Sequence, residues 1–144
     1  MTSVCLRAFP KPHHERVLVL SDRSVPELLD AGVALGTAPI LPVSIVVSGP
    51  LAELDGRSAL VVRLHGAEST VDADQATLES HIRASFDRVG DAVPLLHEIR
   101  DRGGAESRRV EVSVLPSRLR DVASAVEDVG FASSVVDSYA GRIR

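Results

Sequence analysis

The chain has no tryptophan, a single cysteine, and only Phe9, Phe86, Phe131 and Tyr139 as aromatics. Lone Cys5 rules out an internal disulfide and any multi-thiolate metal site. As a nucleophile Cys5 needs an adjacent base, and we read it as an inert, partly buried thiol. Scarce aromatics mean an aliphatic core of Val, Leu and Ala. They also leave no stacking pair for nucleic acid. A basic stripe is missing too: the net charge is −4 and the two signs are interspersed, so nucleic acid is not an expected partner. No uninterrupted apolar run approaches the roughly 20 residues of a membrane helix, and Met1 to Pro12 holds no signal-peptide core. The expectation is a cytoplasmic protein without membrane contact.

Two catalytic signatures are missing as well. No Gly-x-Ser-x-Gly elbow sets a serine on a strained turn, which leaves nucleophilic hydrolysis without support. No glycine-rich loop is present to cradle a phosphate, and Gly103-Gly104 reads as a joint.

What is present is a strand and its covering helix. Ala59 to Leu64 is nearly all apolar and turns at His65-Gly66. Val71, Leu78, Ile82, Phe86 and Val89 then recur on one helical face, with Asp72, Asp74, Glu79, Arg83 and Asp87 elsewhere. Ser69 with Asp72 reads as a weakened capping box for this helix, and Asp72 and Asp74 as first-turn acids that complement the dipole. Neither element can bury the other fully, so the 144 residues are expected to complete one sheet and one helical layer.

In chain order, Met1 to Phe9 alternates as a strand ended by Pro10-Lys11-Pro12, and Arg16 to Ser21 is a short apolar strand. Ser24-Val25-Pro26-Glu27 is a helix-start signature with Val25, Leu28, Leu29 and Val33 inward and Gly36 as the stop. Pro39 to Ser48 reads as a strand closed by Gly49-Pro50, and the Asp55-Gly56 turn pairs it with the central strand as a hairpin with a long loop. Pro94 to Arg102 is a short helix with Leu95, Leu96 and Ile99 inward. Arg109 to Leu115 alternates strictly. Pro116-Ser117 opens a helix with Leu119, Val122, Ala123, Val126 and Val129 on one face, and Phe131 to Tyr139 supplies a last strand. The alternation suits an α+β sandwich of the ferredoxin-like kind, an antiparallel sheet with helices on one face. The alternative is a small parallel α/β domain.

The histidines offer little chemistry. His13-His14 are neighbours in an extended loop, so their rings point apart and read as solvated. His65 is better placed, at a strand end bordering a cleft, though a surface or capping role suffices for it.

Resemblance carries further. Thr2-Ser3-Val4-Cys5-Leu6-Arg7-Ala8-Phe9-Pro10-Lys11-Pro12 resembles the segment that leaves the flavin domain in FAD-linked oxidases of the vanillyl-alcohol oxidase type. Leu60 to Leu78 is similar to the cap segment of the FAD-binding subunit of glycolate oxidase and its relatives. Leu96-His97-Glu98-Ile99-Arg100-Asp101 resembles that family's Leu-Trp-x-x-Arg-Glu stretch, with His97 in place of Trp. Val112 to Leu119 resembles the strand-to-helix step that follows it.

The resemblance implies residues 1–12 as the exit strand and joint from a missing flavin domain, and 13–144 as a cap-like α+β domain that stops short of the family's end. It implies a cap or substrate domain of a flavin-dependent 2-hydroxy-acid oxidoreductase, not catalytic alone. Arg100, and Arg109 near the next strand, would hold the substrate carboxylate, since a guanidinium matches a carboxylate in a planar fork. The alternative for Arg100 is an exposed helix arginine paired with Asp101. The family's glycine- and serine-rich pyrophosphate loop is absent, so FAD is expected only in the complete enzyme. Its carrier would be a separate FAD-binding domain or subunit. The family's Gly-His-x-Gly-Asp-Gly-Asn-x-His stretch also has no counterpart in Ser138 to Arg144. A non-enzymatic ferredoxin-like module, pairing as a homodimer or docking on a partner, is the competing expectation.

Overall fold

Four consecutive residues, Val17 to Leu20, are all buried, which a strand achieves only when both of its faces are covered. The computed structural model describes residues 14–90, 92–101, 112–128, 135–137 and 142–143. Its elements are β1 (His14–Leu20), α1 (Val25–Leu35), β2 (Ser44–Leu51), β3 (Arg57–Gly66), α2 (Glu68–Ile82), β4 (Arg88–Gly90), α3 (Val93–Asp101), β5 (Val112–Ser113), α4 (Leu119–Asp128), β6 (Val135–Asp137) and β7 (Arg142–Ile143). Single 3₁₀ turns occupy Ala52–Leu54 and Pro116–Arg118. The expected exit strand at 1–9, Cys5, His13 and Arg109 lie outside the described residues.

The first six elements run β1-α1-β2-β3-α2-β4 with sheet order β4-β1-β3-β2, the ferredoxin-like arrangement. All pairings among the described residues are antiparallel, so the parallel alternative falls. Beyond β2 the sheet continues through β6, β7 and β5. The class is therefore an α+β sandwich on an antiparallel sheet.

The helical layer is largely one-sided. Leu18 and Leu20 of β1, Ile45 and Val47 of β2 and Leu60, Val62 and Leu64 of β3 form one apolar cluster with Leu28, Leu29 and Leu35 of α1, Val71 and Leu78 of α2 and Leu119 and Ala123 of α4. The alternate residues Val17, Val19, Ala59 and Val61 form a second cluster on the opposite face with Leu51, Leu54, Ala92 and Leu95. Thus α1, α2 and α4 share the expected face, while α3 covers part of the other. Helical periodicity shows that Leu95, Leu96 and Ile99 are inward; it is silent on which side of the sheet receives them.

The start of α1 follows its sequence signature: the Glu27 carboxylate accepts from the Ser24 backbone N–H at 2.9 Å and from Ser24 Oγ at 2.6 Å. The β2–β3 hairpin also forms, with Asp55 and Gly56 at φ 54° and 77°. The strand runs on through Gly49-Pro50 to Leu51 because a register shift between Ser48 and Leu51 spares proline a ladder donor.

Two expectations for α2 are corrected. The helix begins at Glu68 behind Ala67, which offers no capping side chain, so Ser69 and Asp72 form no box. Asp72 lies in the second turn and pairs with Arg16 at 2.5 Å. The helix also ends at Ile82 rather than continuing to Val89. Arg83 adopts the left-handed conformation at φ 52° and the Ala84 N–H bonds to the Glu79 carbonyl at 3.1 Å, a Schellman closure made without glycine. Phe86 still reaches the helical-face core, but from the connection. Val89 belongs to β4, opposite Leu18.

The descending connection is fastened to β1. The Asp87 N–H donates to the Val19 carbonyl at 2.8 Å, and Asp87 Oδ2 accepts from the Ser21 N–H at 2.5 Å. Among the described residues no helix is long and apolar enough to cross a membrane.

Leu18, fully buried, sits where β1 meets β3, β4 and the helical layer. Leu18→Ala is expected to lower unfolding free energy by about 2–5 kcal/mol, since the cavity cannot collapse against a sheet; urea denaturation followed by circular dichroism checks it.

Candidate functional site

Antiparallel register decides which polar side chains meet on the sheet. Residues directly opposite share a face, and β1 on β3 sets Glu15 against His65 and Val17 against Arg63, while β2 on β3 sets Ser44 against Arg63. Glu15, Arg63, His65 and Ser44 thus stand on the face opposite the main helical layer. The apolar stretch of this face, at Val17, Val19, Ala59 and Val61, lies under α3. The polar group occupies the stretch beyond it.

The side chains of Glu15, Arg63 and His65 retain 40%, 33% and 27% of their exposure. Glu15 Oε1 accepts from Arg63 Nε at 2.9 Å and Nη2 at 2.7 Å. His65 Nε2 lies 3.2 Å from Glu15 Oε2, yet it is shut off from solvent and makes no aligned hydrogen bond. The approach is close but not an aligned bond, because a hydrogen bond weakens steeply off axis. Burial pushes the Glu15 carboxyl up, but the Arg63 and His65 contacts outweigh it and hold it below the usual carboxylate value.

The arginine expected to hold a carboxylate is elsewhere. Arg100 lies in the last turn of α3, 66% exposed, with its Nε 2.7 Å from Asp101 Oδ1 and its Nη2 3.0 Å from Asp101 Oδ2. Its planar fork therefore grips a carboxylate, that of its own neighbour. The hydrogen bond from Arg100 lowers the Asp101 carboxyl and the same bond raises the Arg100 guanidinium. The helix itself is anchored by Glu98, which accepts from the Ala52 N–H at 2.7 Å and the Glu53 N–H at 3.1 Å. His14 opens β1 opposite Gly66. Among the described residues no group of three or more His, Cys, Asp or Glu could hold a metal ion.

The fit to a flavin can be tested on backbone amides, the donors a pyrophosphate uses. Three sets of such donors are already filled by this chain's own carboxylates: Ser24 by Glu27, Ser21 and Asp22 by Asp87, and Ala52 and Glu53 by Glu98. These amides are thus satisfied from within the chain.

Sequence reasoning noted His65 but missed Glu15 and Arg63. Both occupy alternating positions of apolar strands, a pattern that marks one face; only the β1–β3 register, set by residues some 50 positions apart, brings them to His65. No protein-family model matches the chain, and no curated protein matches it.

Because the folded-state carboxyl of Glu15 is depressed below 4.5, its contribution is present above that value and lost as pH falls through the folded one. Glu15→Gln is therefore expected to be less stable than wild type at neutral pH. At this exposure the deficit is below about 1 kcal/mol, and it shrinks below pH 4.5. Paired urea titrations across the acid range measure it.

Proposed function

We propose that the chain is a cap, or substrate, domain of a flavin-dependent 2-hydroxy-acid oxidoreductase related to the FAD-binding subunit of glycolate oxidase, acting in the cytoplasm and catalytically silent alone. The observation that carries this reading is an antiparallel ferredoxin-like sheet whose backbone amide sets at Ser21, Ser24 and Ala52 are all filled from within. Such a unit can shape a pocket and orient a substrate, while the redox chemistry of FAD would be supplied by a separate FAD-binding domain or subunit. The run of family-like segments from Thr2 to Leu119 supports the same reading.

Arg100 has the chemistry to orient a substrate carboxylate, and its bidentate grip on Asp101 demonstrates the fork geometry. To serve a substrate it would exchange that partner, a small cost for a pair this exposed. Arg109 is the second carboxylate contact that the resemblance implies.

The purified chain is expected to carry no flavin, to take up none when FAD is added, and to oxidise neither glycolate nor D-lactate. Absorbance near the flavin bands and an oxidation assay check this, and tight flavin binding by the chain alone would overturn the reading. Translation of the nucleotide sequence upstream of Met1 separates a piece of a flavoenzyme from the alternative. That alternative is a non-enzymatic ferredoxin-like binding or dimerisation module. One observation favours it: among the described pairings β4 meets only Val17 to Val19 of β1, leaving the β1 start as edge for another strand. A homodimer in light scattering that captures no flavoprotein would favour this second reading, and a stable monomer would count against it.

A further inference from the structure

We propose that Arg63 and His65 form a binding site for a small carboxylate anion, and that Glu15 is the resident occupant of that site when no ligand is bound.

The Glu15 carboxylate sits as a bound carboxylate would. One oxygen takes both Arg63 donors at 2.9 and 2.7 Å, and the other lies 3.2 Å from His65 Nε2. It fills the pair imperfectly. Arg63 donates twice to the same oxygen instead of gripping both, and the buried His65 nitrogen is left without an aligned bond. Buried polar atoms are almost always satisfied, and an orphan among them calls for an explanation. A side chain tethered to β1 cannot turn to suit both partners; a free carboxylate, unconstrained by a strand, can.

The surroundings favour exchange. Glu15 lies at the start of β1, two residues before the first residue paired to β4, and its side chain is 40% exposed, so a χ1 rotation delivers it to water. Leaving, it uncovers a guanidinium and an imidazole on a sheet face, with Ser44 opposite Arg63 on the neighbouring strand as a further donor. Arg63 is less exposed than Glu15, and its backbone lies in the middle of three paired strands. The site is thus a guanidinium and an imidazole carried by one paired strand, with a movable anionic plug. It needs no flavin and stands apart from the cap-domain reading.

The test is a titration of the full chain with sodium acetate, against sodium chloride at equal ionic strength, following the His65 ring and Arg63 Nε–H resonances. Saturable shifts with acetate and not chloride are expected. Glu15→Gln keeps the plug's shape but removes its charge, and should tighten acetate binding by about two- to fivefold, the most that displacing so exposed a pair can return. Arg63→Met should abolish the saturable shifts; should that variant fail to fold, Arg63→Lys, which keeps the charge and loses the fork, should weaken binding severalfold. Shifts that follow ionic strength alone, a Glu15→Gln variant that binds acetate no better, or an Arg63→Lys variant that binds it equally well would each overturn the proposal.

Discussion

The pairing of β1 with β3 is the constraint on which the remaining structure rests. Seven consecutive residue pairs, from His14 and Gly66 to Leu20 and Leu60, join segments that nothing local brings together. Because side chains alternate with period two, a slip of one residue would carry Leu18 and Leu20 out of the helical-face core and drive Glu15 into it. Apolar residues fill both faces at Val17 to Leu20 and Ala59 to Val62, and polar ones begin at the opposite end. That asymmetry along the strands, more than alternation across them, fixes the register. From it follow the seat of α3 over Val17, Val19, Ala59 and Val61 and the meeting of Glu15 with Arg63.

Acidic side chains do much of the fastening between elements. Glu27 closes the start of α1, and Asp87 takes the amides after β1. Glu98 ties α3 to the turn at Ala52–Leu54, and Glu79 accepts from the Phe86 N–H at 3.3 Å as the chain descends from α2. Each accepts from backbone donors that a loop would otherwise leave to water, a charge-assisted bond of the stronger kind. The excess of acid in the composition is therefore partly architectural.

The legible parts of the sequence were those whose signals are local. Ser24 to Glu27 announced α1 through a capping motif complete within four residues, and Asp55-Gly56 announced the hairpin through the backbone angles it needs. The end of α2 was not legible, because Phe86 and Val89 fall on the helical period by coincidence. One reaches the core from a connection; the other joins a strand of three residues whose hydrogen bonds come from β1. The two-residue strand β7 is too short to carry a period and was not anticipated, whereas β5 lies inside the strictly alternating Arg109 to Leu115. Periodicity likewise exposed the buried side of α3 without revealing that it lies across the sheet from α1, α2 and α4. The candidate site was the least legible of all: His65 stood out beside Gly66, whereas Glu15 and Arg63 looked like the polar ends of apolar strands.

What stability alone explains at that site is limited. An ion pair a third or more exposed contributes little, because solvent already weakens the attraction and two long side chains lose freedom to make it. The unaligned His65 nitrogen works against folding, as a buried donor or acceptor without a partner costs about 1–3 kcal/mol. Aliphatic side chains at these positions would have extended the apolar stretch under α3 and avoided both penalties. Hydrophobic burial is what positions the sheet, but it does not account for Glu15, Arg63 and His65 facing one another on it. Recognition of an anion accounts for that arrangement: an arginine on the middle of three paired strands and an imidazole at 3.2 Å from a carboxylate it does not fully satisfy.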